Sequence, residues 1–567
     1  MCTEQTIEVQ MQNAAEFIMC SLRASGVDVV FGYPGQSNLR LLRAAARAGV
    51  RYVQMADERG AGFAASGYIE ATGRPAVVCV SKGPGTTNLL TPLAAATVDG
   101  VPLVAIAVGV SAERRNQNAF QDFNACEAFA VGRAVKAARN CYAPAHLPAL
   151  VTELLIVSWT PPRGAVLLDI AESVLEDAIE AAPVAVSMRE SHPATLSPAA
   201  TLSASQAVAA LRSALRPVLV VGSGARDDYL RIRAFSARRS IPTVHTIGGT
   251  GIIATGERHY GGLLRHNGSR EAAYLTAKAD AIVALGTGLD ERATGEPSQF
   301  AVNALKVHVD VNPEVLQRCD HVTNVRVPGS VAAFVDLVDG ALASDINYEE
   351  WLHEFEAKRG DWSVQHTCHG QIRAGELVRA IADVLCDSIV VKDSGAHKYW
   401  VTNLAPCNAP QNSIASCHFG AMGFAIPAAI GASVGRPHDR VVVTCGDGGA
   451  LMALSDLVTA MREGCHNIKV IVFNNAGLAS TRDYEWTLGD VTISSFSQPL
   501  ALASFAAGLG VGSMTVSNRD ELRVLCDVLK ADGLMLVDCL LDPSESLNPV
   551  VSWRRALAAL VETDIAR

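Results

Sequence analysis

A glycine-rich turn and a later pair of asparagines could together bind a divalent cation. The turn is Gly446-Asp447-Gly448-Gly449, and Asn474-Asn475 follows after residues 450–473. A carboxylate, a carboxamide oxygen and a backbone carbonyl belong to the oxygen-only ligand set that Mg²⁺ requires. The glycines permit a tight turn, and their amide groups can approach an anion at the start of a helix. The alternative is an ordinary glycine turn with an aspartate cap, followed by an asparagine turn.

The apolar runs beside these motifs indicate how they could meet. A strand over 440–445 places Asp447 at its carboxyl end, a helix is expected over 450–463, and a strand over 469–473 ends at the asparagines. Parallel strands end at the same edge of a sheet. We therefore predict that Asn474 and Asn475 lie beside Asp447.

Glu58 is a second residue that could do chemistry. It follows a predicted strand over 51–55 and opens a helix whose small residues allow close packing. A glutamate at a helix N-terminus commonly stabilises the helix dipole, which is the simplest interpretation of Glu58 alone. It belongs, however, to an ordered series of motifs: Phe31-Gly-Tyr-Pro-Gly35, Asp57-Glu58-Arg59, Gly73-Arg74-Pro75 and Lys82-Gly-Pro-Gly-Thr-Thr-Asn88.

The 567 residues divide into three blocks in which apolar strands alternate with helical stretches, over about 14–175, 202–342 and 372–543. Short buried strands that alternate with helices predict parallel sheets covered on both faces. A chain of this length exceeds what one hydrophobic core organises, so three domains are expected.

Composition excludes several classes of partner. The net charge is −10 without any run of Lys and Arg, so neither nucleic acid nor an anionic membrane is expected to bind. The first residues do not resemble a secretory signal, the longest apolar run (101–110) is too short for a bilayer, and the 14 cysteines are scattered singly. We expect a cytoplasmic protein with reduced thiols. A cluster of His366, Cys368 and His369 could bind a metal but is better explained as a linker.

Together the motifs resemble the thiamine-diphosphate-dependent, acetolactate synthase-like family (the acetohydroxyacid synthase and 2-oxo acid decarboxylase superfamily), over about residues 14–545. The resemblance implies an α/β fold of three doubly wound parallel-sheet domains. These are an N-terminal pyrimidine-binding domain over 12–180, a central Rossmann-like domain over 200–343, and a C-terminal diphosphate- and Mg²⁺-binding domain over 365–550.

The resemblance also implies roles for individual residues. The metal ligands would be Asp447, Asn475 and the backbone carbonyl of Gly477, and Glu58 would hydrogen-bond the pyrimidine ring and share a proton with it. Besides Glu58, the residues near the reacting carbon would be Gln36, Phe120 and Gln121. Other contacts to thiamine diphosphate would come from Pro34, Gly35, Pro84, Asn88, Gly395, Ala396, His397, Gly420, Met422, Gly446, Gly448 and Gly449.

The chain departs from the family pattern at several of these positions. Asp57 stands where His is common, and it could influence the protonation of Glu58 or bind an amine of the substrate. Ala396 replaces a phosphate-binding Gln and removes one donor. Gln36 replaces a small residue, while Ser480 and Tyr484 replace Met and Trp, so the expected substrate wall is more polar and differently shaped.

The central block leaves the binding of FAD open. Gly222-Ser-Gly224 and residues 284–295 resemble segments that hold FAD in acetolactate synthases, and Asp290, Arg292 and Asp310 match them. Gly288 stands where those enzymes carry Arg, however, and residues 265–267 differ as well. Related decarboxylases keep this domain empty, and a lone GxG loop is weak evidence for a dinucleotide.

The sequence is compatible with three functions. An acetolactate synthase-like transferase or lyase would decarboxylate a 2-oxo acid such as pyruvate and transfer the resulting acyl anion to an unknown acceptor, which Met422 and Phe120-Gln121 favour. A simple decarboxylase releasing an aldehyde would need a proton donor that the sequence does not identify. A non-catalytic homologue is disfavoured by intact Glu58, Asp447 and Asn475. The resemblance also implies a homodimer or homotetramer with shared active sites.

Overall fold

The computed structural model describes residues 12–187, 195–264, 268–360, 370–489 and 493–545. It contains three six-stranded sheets built from successive parts of the chain. Many strands near the middle of each sheet are buried apolar runs, as in β5 (Val104–Gly109), where all residues are buried. Such runs fit sheets that are covered by helices on both faces, and the predicted α/β fold with three parallel sheets is confirmed.

The first sheet has the order β3-β2-β4-β5-β7-β6, and its paired strands are parallel. Two short strands, β1 and β8, pair antiparallel beside it. The remaining strands of this part are β1 (Gln12–Asn13), β2 (Val29–Gly32), β3 (Arg51–Gln54), β4 (Val77–Ser81), β6 (Ala137–Cys141), β7 (Val166–Ala171) and β8 (Ala178–Ile179). Its helices are α1 (Ala14–Ala24), α2 (Leu39–Arg47), α3 (Glu58–Thr72), α4 (Pro84–Thr87), α5 (Leu90–Asp99), α6 (Ala125–Val131) and α7 (Leu147–Trp159).

The second sheet has the order β11-β10-β9-β12-β13-β14, with parallel pairs. Its strands are β9 (Pro217–Val221), β10 (Thr243–His245), β11 (Tyr260–Leu263), β12 (Ala281–Leu285), β13 (Leu305–Asp310) and β14 (Val325–Pro328). Its helices are α8 (Pro198–Ser213), α9 (Tyr229–Arg239), α10 (Arg270–Lys278), α11 (Glu291–Thr294), α12 (Pro313–Arg318), α13 (Val331–Ala341) and α14 (Glu349–Gly360).

The third sheet has the order β16-β15-β17-β18-β20-β19. Its strands are β15 (Ile389–Lys392), β16 (Ser413–Ala415), β17 (Val441–Gly446), β18 (Ile468–Asn474), β19 (Gly512–Val516) and β20 (Met535–Leu540). The helices in this part of the chain are α15 (Ala374–Ala380), α16 (Ala382–Cys386), α17 (Ala396–Leu404), α18 (Ala425–Gly435), α19 (Asp447–Leu451), α20 (Asp456–Arg462), α21 (Ala479–Leu488), α22 (Leu502–Gly508) and α23 (Arg519–Lys530).

The described residues group into two compact units. The first combines those of Met1–Glu190 with His418–Asp439 and Ala453–Ile468, and the second holds the rest, including the second and third sheets. Helices α18 and α20 therefore belong to the first unit although they lie late in the chain. For this reason the domain limits 12–180, 200–343 and 365–550 stay a prediction.

Within the first unit, α3 and α18 pack with their backbones in close approach. A Cβ on Gly67 would lie 2.1 Å from the carbonyl oxygen of Ala428, and one on Gly431 would lie 1.8 Å from that of Ala64. Only glycine fits at two such positions, one on each helix. This packing holds the helix that begins with Glu58 against the segment that follows Met422.

The helix predicted over 450–463 is two helices in the structure. Helix α19 ends at Leu451, and α20 begins at Asp456 after a turn. Asp456, the first residue of α20, is buried, and its carboxylate accepts a hydrogen bond from the backbone of Ala56. Within the described ranges, the structure contains no helix that is both long and apolar enough to cross a membrane.

Candidate functional site

Glu58 is the first residue of α3 and is buried, with 8% of its surface exposed. The preceding residue, Asp57, caps the helix by accepting a hydrogen bond of 2.6 Å from the amide of Gly60. The Glu58 carboxylate is therefore not needed as a cap. Its Oε2 instead accepts a hydrogen bond of 2.9 Å from the side-chain Nδ2 of Asn88, which fixes the direction in which the carboxyl points.

A glycine turn after β4 lies against the Glu58 carboxyl. A Cβ on Gly85 would lie 3.1 Å from Glu58 Oε1 and 2.7 Å from Ser81 Oγ. Gly83 begins the turn with a φ of +62°, a left-handed conformation that favours glycine. Pro84 is the first residue of the short helix α4 that follows. Because Gly85 has no side chain, the turn leaves space beside Glu58 Oε1.

The same turn gathers other residues that the sequence predicts for the site. A Cβ on Gly83 would lie 2.7 Å from Cβ of Gln121, which itself has a φ of +62°. On the opposite side, a Cβ on Gly35 would lie 2.5 Å from Ser81 Oγ. Gln121 and Gly35 therefore flank the turn that borders Glu58.

The side chains of Phe120 and Gln36 are both exposed, Phe120 to 81%. Asn38, fully buried, fixes the turn before Gln36: its Oδ1 accepts from the amide of Gly35 at 2.8 Å and its Nδ2 donates to the Tyr33 carbonyl at 3.0 Å. These two hydrogen bonds of the Asn38 side chain hold the backbone of this loop in place.

The predicted segment around Met422 also lies in the first unit. Gly420 has a φ of +70°, and Met422 is half-buried just before α18. The amides of His418 and Phe419 donate to Asp99 Oδ1 at 2.6 and 3.3 Å, at the end of α5. Asp99 therefore anchors the start of the segment that carries Gly420 and Met422.

In the second unit, Asp447 follows β17 and is 1% exposed. Its Oδ1 accepts from the amide of Gly448 at 2.8 Å, and its Oδ2 accepts from the amide of Gly477 at 2.9 Å. Burial raises the pKa of Asp447 to about 6, against the lowering effect of these amides and of the Arg482 charge. A bound cation would favour the carboxylate form.

The two asparagines have different surroundings. Asn474 is buried, and its Nδ2 donates to Asp538 Oδ1 and to the Leu500 carbonyl, both at 2.8 Å. Asn475 follows it at the end of β18 and is half-buried. Gly477 has a φ of +156°, and a Cβ there would lie 2.5 Å from the Ser494 carbonyl oxygen. Asn474 thus anchors the loop, and the backbone amide of Gly477 contacts Asp447.

The predicted diphosphate loop follows β15, the neighbour of β17. Gly395 has a φ of +151° and precedes α17, whose first residue is Ala396. His397 is 4% exposed, and its Nε2 has no hydrogen-bond partner within the described ranges. Burial, then the nearby Lys398 charge, lowers the pKa of His397 to about 3, so the ring is neutral. A Cβ on Gly446 would lie 3.6 Å from His397 Nδ1, which places this ring at the glycine turn.

The central sheet positions the residues that resemble an FAD site. A Cβ on Gly222 would lie 2.4 Å from the carbonyl oxygen of Gly286, so the loops after β9 and β12 pack backbone to backbone. Burial raises the pKa of Asp310 to about 6, although it accepts a hydrogen bond of 2.8 Å from the amide of Asn312. The side chain of Arg292 is 66% exposed. Residues 265–267 lie outside the described ranges, as does the cluster at 366–369.

Three family models match successive parts of the chain. They are described as the N-terminal TPP binding domain, the central domain and the C-terminal TPP binding domain of thiamine pyrophosphate enzymes, and they match residues 12–128, 204–338 and 393–539. The chain belongs to the thiamine pyrophosphate enzyme family. It is therefore an enzyme homologue with thiamine-diphosphate-binding domains at both ends.

Relatives match over nearly the whole chain. Acetolactate synthase isozyme 2 large subunit of Escherichia coli (strain K12) is 29% identical over 552 residues, which cover 95% of this chain and 97% of the relative. The isozyme 1 large subunit of the same organism is 29% identical over 556 residues and 95% of each chain. The large subunit of Lactococcus lactis subsp. lactis (strain IL1403) is 27% identical over 554 residues, 95% of this chain and 94% of the relative.

The residues of both candidate sites fit this cofactor. The donor set of Asp447, Asn475 and the Gly477 carbonyl consists of oxygens only, as Mg²⁺ requires. Nε2 of His397, which has no hydrogen-bond partner among the described residues, is a buried polar atom beside the glycine turn. In the first unit, Glu58 presents a carboxyl that is fixed on one oxygen and bordered by a glycine on the other.

Several residues that shape the sites were missed by the sequence analysis. Ser81 lies between Gly35 and Gly85, and Asp538 holds Asn474. Asp456 lies against the start of α3, where a Cβ on Gly60 would be 2.7 Å from its Oδ1. In the sequence each of these residues is only a polar residue in a strand or at a helix start, which fits an ordinary structural role as well.

Proposed function

We propose that this enzyme binds thiamine diphosphate with Mg²⁺, decarboxylates a 2-oxo acid such as pyruvate, and transfers the remaining acyl group to an acceptor by forming a carbon–carbon bond. The main support for the proposal is the buried Glu58 carboxyl, which Asn88 orients at the edge of a glycine turn. Similarity to acetolactate synthase large subunits over 95% of the chain supports the acyl transfer.

The second unit supplies the residues that would hold the charged end of the cofactor. Asp447, the Asn475 side chain and the Gly477 carbonyl would bind Mg²⁺, since they form an oxygen-only donor set. The diphosphate would be held by residues of the two loops after β15 and β17: Gly395, Ala396, His397, Gly446, Gly448 and Gly449. The amides of Gly448 and Gly477 hold the Asp447 carboxylate in place, and it would bind the cation from this position.

The first unit supplies the residues that would control protons and orient the substrate. When bound, thiamine diphosphate supplies the electron sink for the bond that breaks as CO2 leaves. Glu58 would hold a proton at the pyrimidine nitrogen. Pro34, Gly35, Pro84, Asn88, Gly420 and Met422 would contact the cofactor or position its ring. Gln36, Phe120 and Gln121 would orient the substrate and shield it from water.

The resemblance also supports an assembly of two or four copies in which a partner chain completes each active site. Flavin binding in the central domain stays a prediction. The visible absorption spectrum of the purified protein tests it, because bound FAD gives a yellow protein with a flavin band.

The function is tested with a panel of 2-oxo acids in the presence of thiamine diphosphate and Mg²⁺, scored for CO2 and for products. We expect CO2 together with a ligated product from at least one pair of donor and acceptor. Release of an aldehyde as the sole product would overturn carboligation in favour of simple decarboxylation. Absence of CO2 from every donor, with the cofactor shown to be bound, would contradict both.

A further inference from the structure

Arg482 is a buried cation, and two of its hydrogen-bond donors have no partner among the described residues. It lies on α21 and is 4% exposed. Its Nη1 donates to the backbone carbonyl of Asn475 at 3.2 Å. Its Nε and Nη2 are buried and have no hydrogen-bond partner in the part of the chain that the structure describes. The Trp486 ring lies 5.8 Å from the guanidinium carbon, a contact that uses neither donor.

A buried guanidinium with two unpaired donors is energetically unfavourable unless a bound anion pairs with it. Removing a charged group from water carries a large penalty, and each unpaired buried donor adds to it. The guanidinium presents its donors as a rigid fork that matches a carboxylate or a phosphate. Nε and Nη2 form one side of that fork, so the two unpartnered atoms can bind one oxyanion together.

The surroundings of Arg482 indicate which oxyanion this is. A Cβ on Gly477 would lie 3.3 Å from Arg482 Nη1, and the arginine charge acts on Asp447. Arg482 therefore lies at the loop that carries the proposed metal ligands. Successive residues of an α-helix are about 100° apart, so Arg482 points away from the face that Ser480 and Tyr484 share. Both of these residues are exposed, whereas Arg482 is turned into the unit.

We propose that Arg482 binds the terminal phosphate of the cofactor diphosphate through Nε and Nη2. This rests on the proposed function and extends it. Ala396 stands where the family places a phosphate-binding glutamine, so one donor is missing from the loop before α17. Arg482 supplies two donors and a positive charge from α21 instead. The site thereby gains a charge-assisted contact in place of a neutral one.

Calorimetric titration of thiamine diphosphate, with Mg²⁺ present, into the wild-type chain and R482Q tests the proposal. We expect R482Q to bind thiamine diphosphate about 10- to 100-fold more weakly, as befits a lost hydrogen bond to a charged group. Thiamine monophosphate, which lacks the terminal phosphate, should bind both proteins equally. R523Q is the matched control, because the Arg523 side chain is 77% exposed in the same unit, and it should bind as the wild type.

R482K keeps the positive charge but lacks the paired donors of the guanidinium. We expect its affinity for thiamine diphosphate to lie between those of the wild type and R482Q, with unchanged thermal unfolding. Wild-type affinity of R482Q for thiamine diphosphate would overturn the proposal, and a raised KM for the 2-oxo acid would then assign Arg482 to the substrate carboxylate. An equal loss for the mono- and diphosphate would overturn it as well, in favour of a structural role. Failure of the wild-type chain to bind thiamine diphosphate would instead refute the proposed function itself.

Discussion

The side-chain amide of Asn88 donates a hydrogen bond to Oε2 of Glu58 over 2.9 Å, although 30 positions separate the two residues. Glu58 begins α3, and Asn88 ends the turn of α4. The bond joins two consecutive strand–helix connections of the first sheet. Because Asp57 already caps α3, the Glu58 carboxyl is left for a ligand.

Replacement of Glu58 by Gln should lower kcat by about 10²- to 10⁴-fold, the usual contribution of a positioned acid or base. The amide keeps the shape of the side chain, so folding and most cofactor affinity should persist. Steady-state turnover and calorimetry check the two parts. E113Q is the control, since Glu113 is exposed in the same unit. Wild-type turnover of E58Q would refute the role of Glu58.

Replacement of Asn88 by Ala should lower kcat by about 10-fold or more, because a hydrogen bond to a charged group contributes about 1.5–3 kcal/mol. Its effect should depend on Glu58. In the E58Q background, N88A should change the residual rate little, since both substitutions disturb one carboxyl. If N88A lowers kcat by the same factor in the wild-type and E58Q backgrounds, Asn88 does not act through the Glu58 carboxyl.

Much of the fold could be predicted from the sequence, because buried parallel strands are continuous apolar runs. The strands predicted over 51–55, 440–445 and 469–473 are β3 (Arg51–Gln54), β17 (Val441–Gly446) and β18 (Ile468–Asn474), each within one residue of the predicted ends. The edge strand β6 was not predicted. β6 (Ala137–Cys141) contains Arg139 and Asn140 and is only partly buried, so its sequence lacks the apolar run.

The candidate sites were less predictable. Glycine spacing indicated where the backbone must turn, and at Gly35, Gly85 and Gly477 the structure has a neighbouring atom too close for an added Cβ. The neighbours are Ser81, Glu58 and Ser494, and a single sequence does not identify which residue fills each such position. Arg482 is an example: its position on α21 is ordinary, and only its burial and unpartnered donors distinguish it.

Replacement of Gly431 by Ala should destabilise the first unit by about 1–3 kcal/mol or more, because overpacking forces backbone shifts. The added Cβ would lie 1.8 Å from the carbonyl oxygen of Ala64. Chemical denaturation followed by circular dichroism measures the change. Gly340, on α13, has open space around its missing Cβ, so G340A should be neutral or gain about 0.5–1 kcal/mol. Equal stability of G431A and wild type would contradict the close helix packing.

Asp456 should make stability depend on pH. Burial, followed by the Asp57 charge, raises its pKa to about 7, while the Ala56 amide and the Arg59 charge oppose the rise. The folded state therefore keeps a proton that the unfolded state releases near pH 4. Between these values, rising pH should reduce the free energy of unfolding by up to about 1.4 kcal/mol per unit through this group.

The comparison with D456N isolates that contribution. The amide does not ionise, so the free energy of unfolding of D456N should lack this dependence on pH. Above pH 7, D456N should be more stable than the wild type. Urea unfolding at several pH values from 4 to 8 measures both proteins. Parallel pH profiles for the two would show that Asp456 does not titrate as a buried acid.

In the proposed function, Asp447, Asn475 and the Gly477 carbonyl hold thiamine diphosphate through Mg²⁺. The most direct measurement is calorimetric titration of thiamine diphosphate into the wild-type chain, with Mg²⁺ and with EDTA, and into D447N with Mg²⁺. D520N is the control, because the Asp520 side chain is 87% exposed. We predict saturable binding in the wild type and D520N that is lost with EDTA and weakened at least 10-fold in D447N. Absence of binding heat in the wild type, or equal affinity in D447N, would contradict the account.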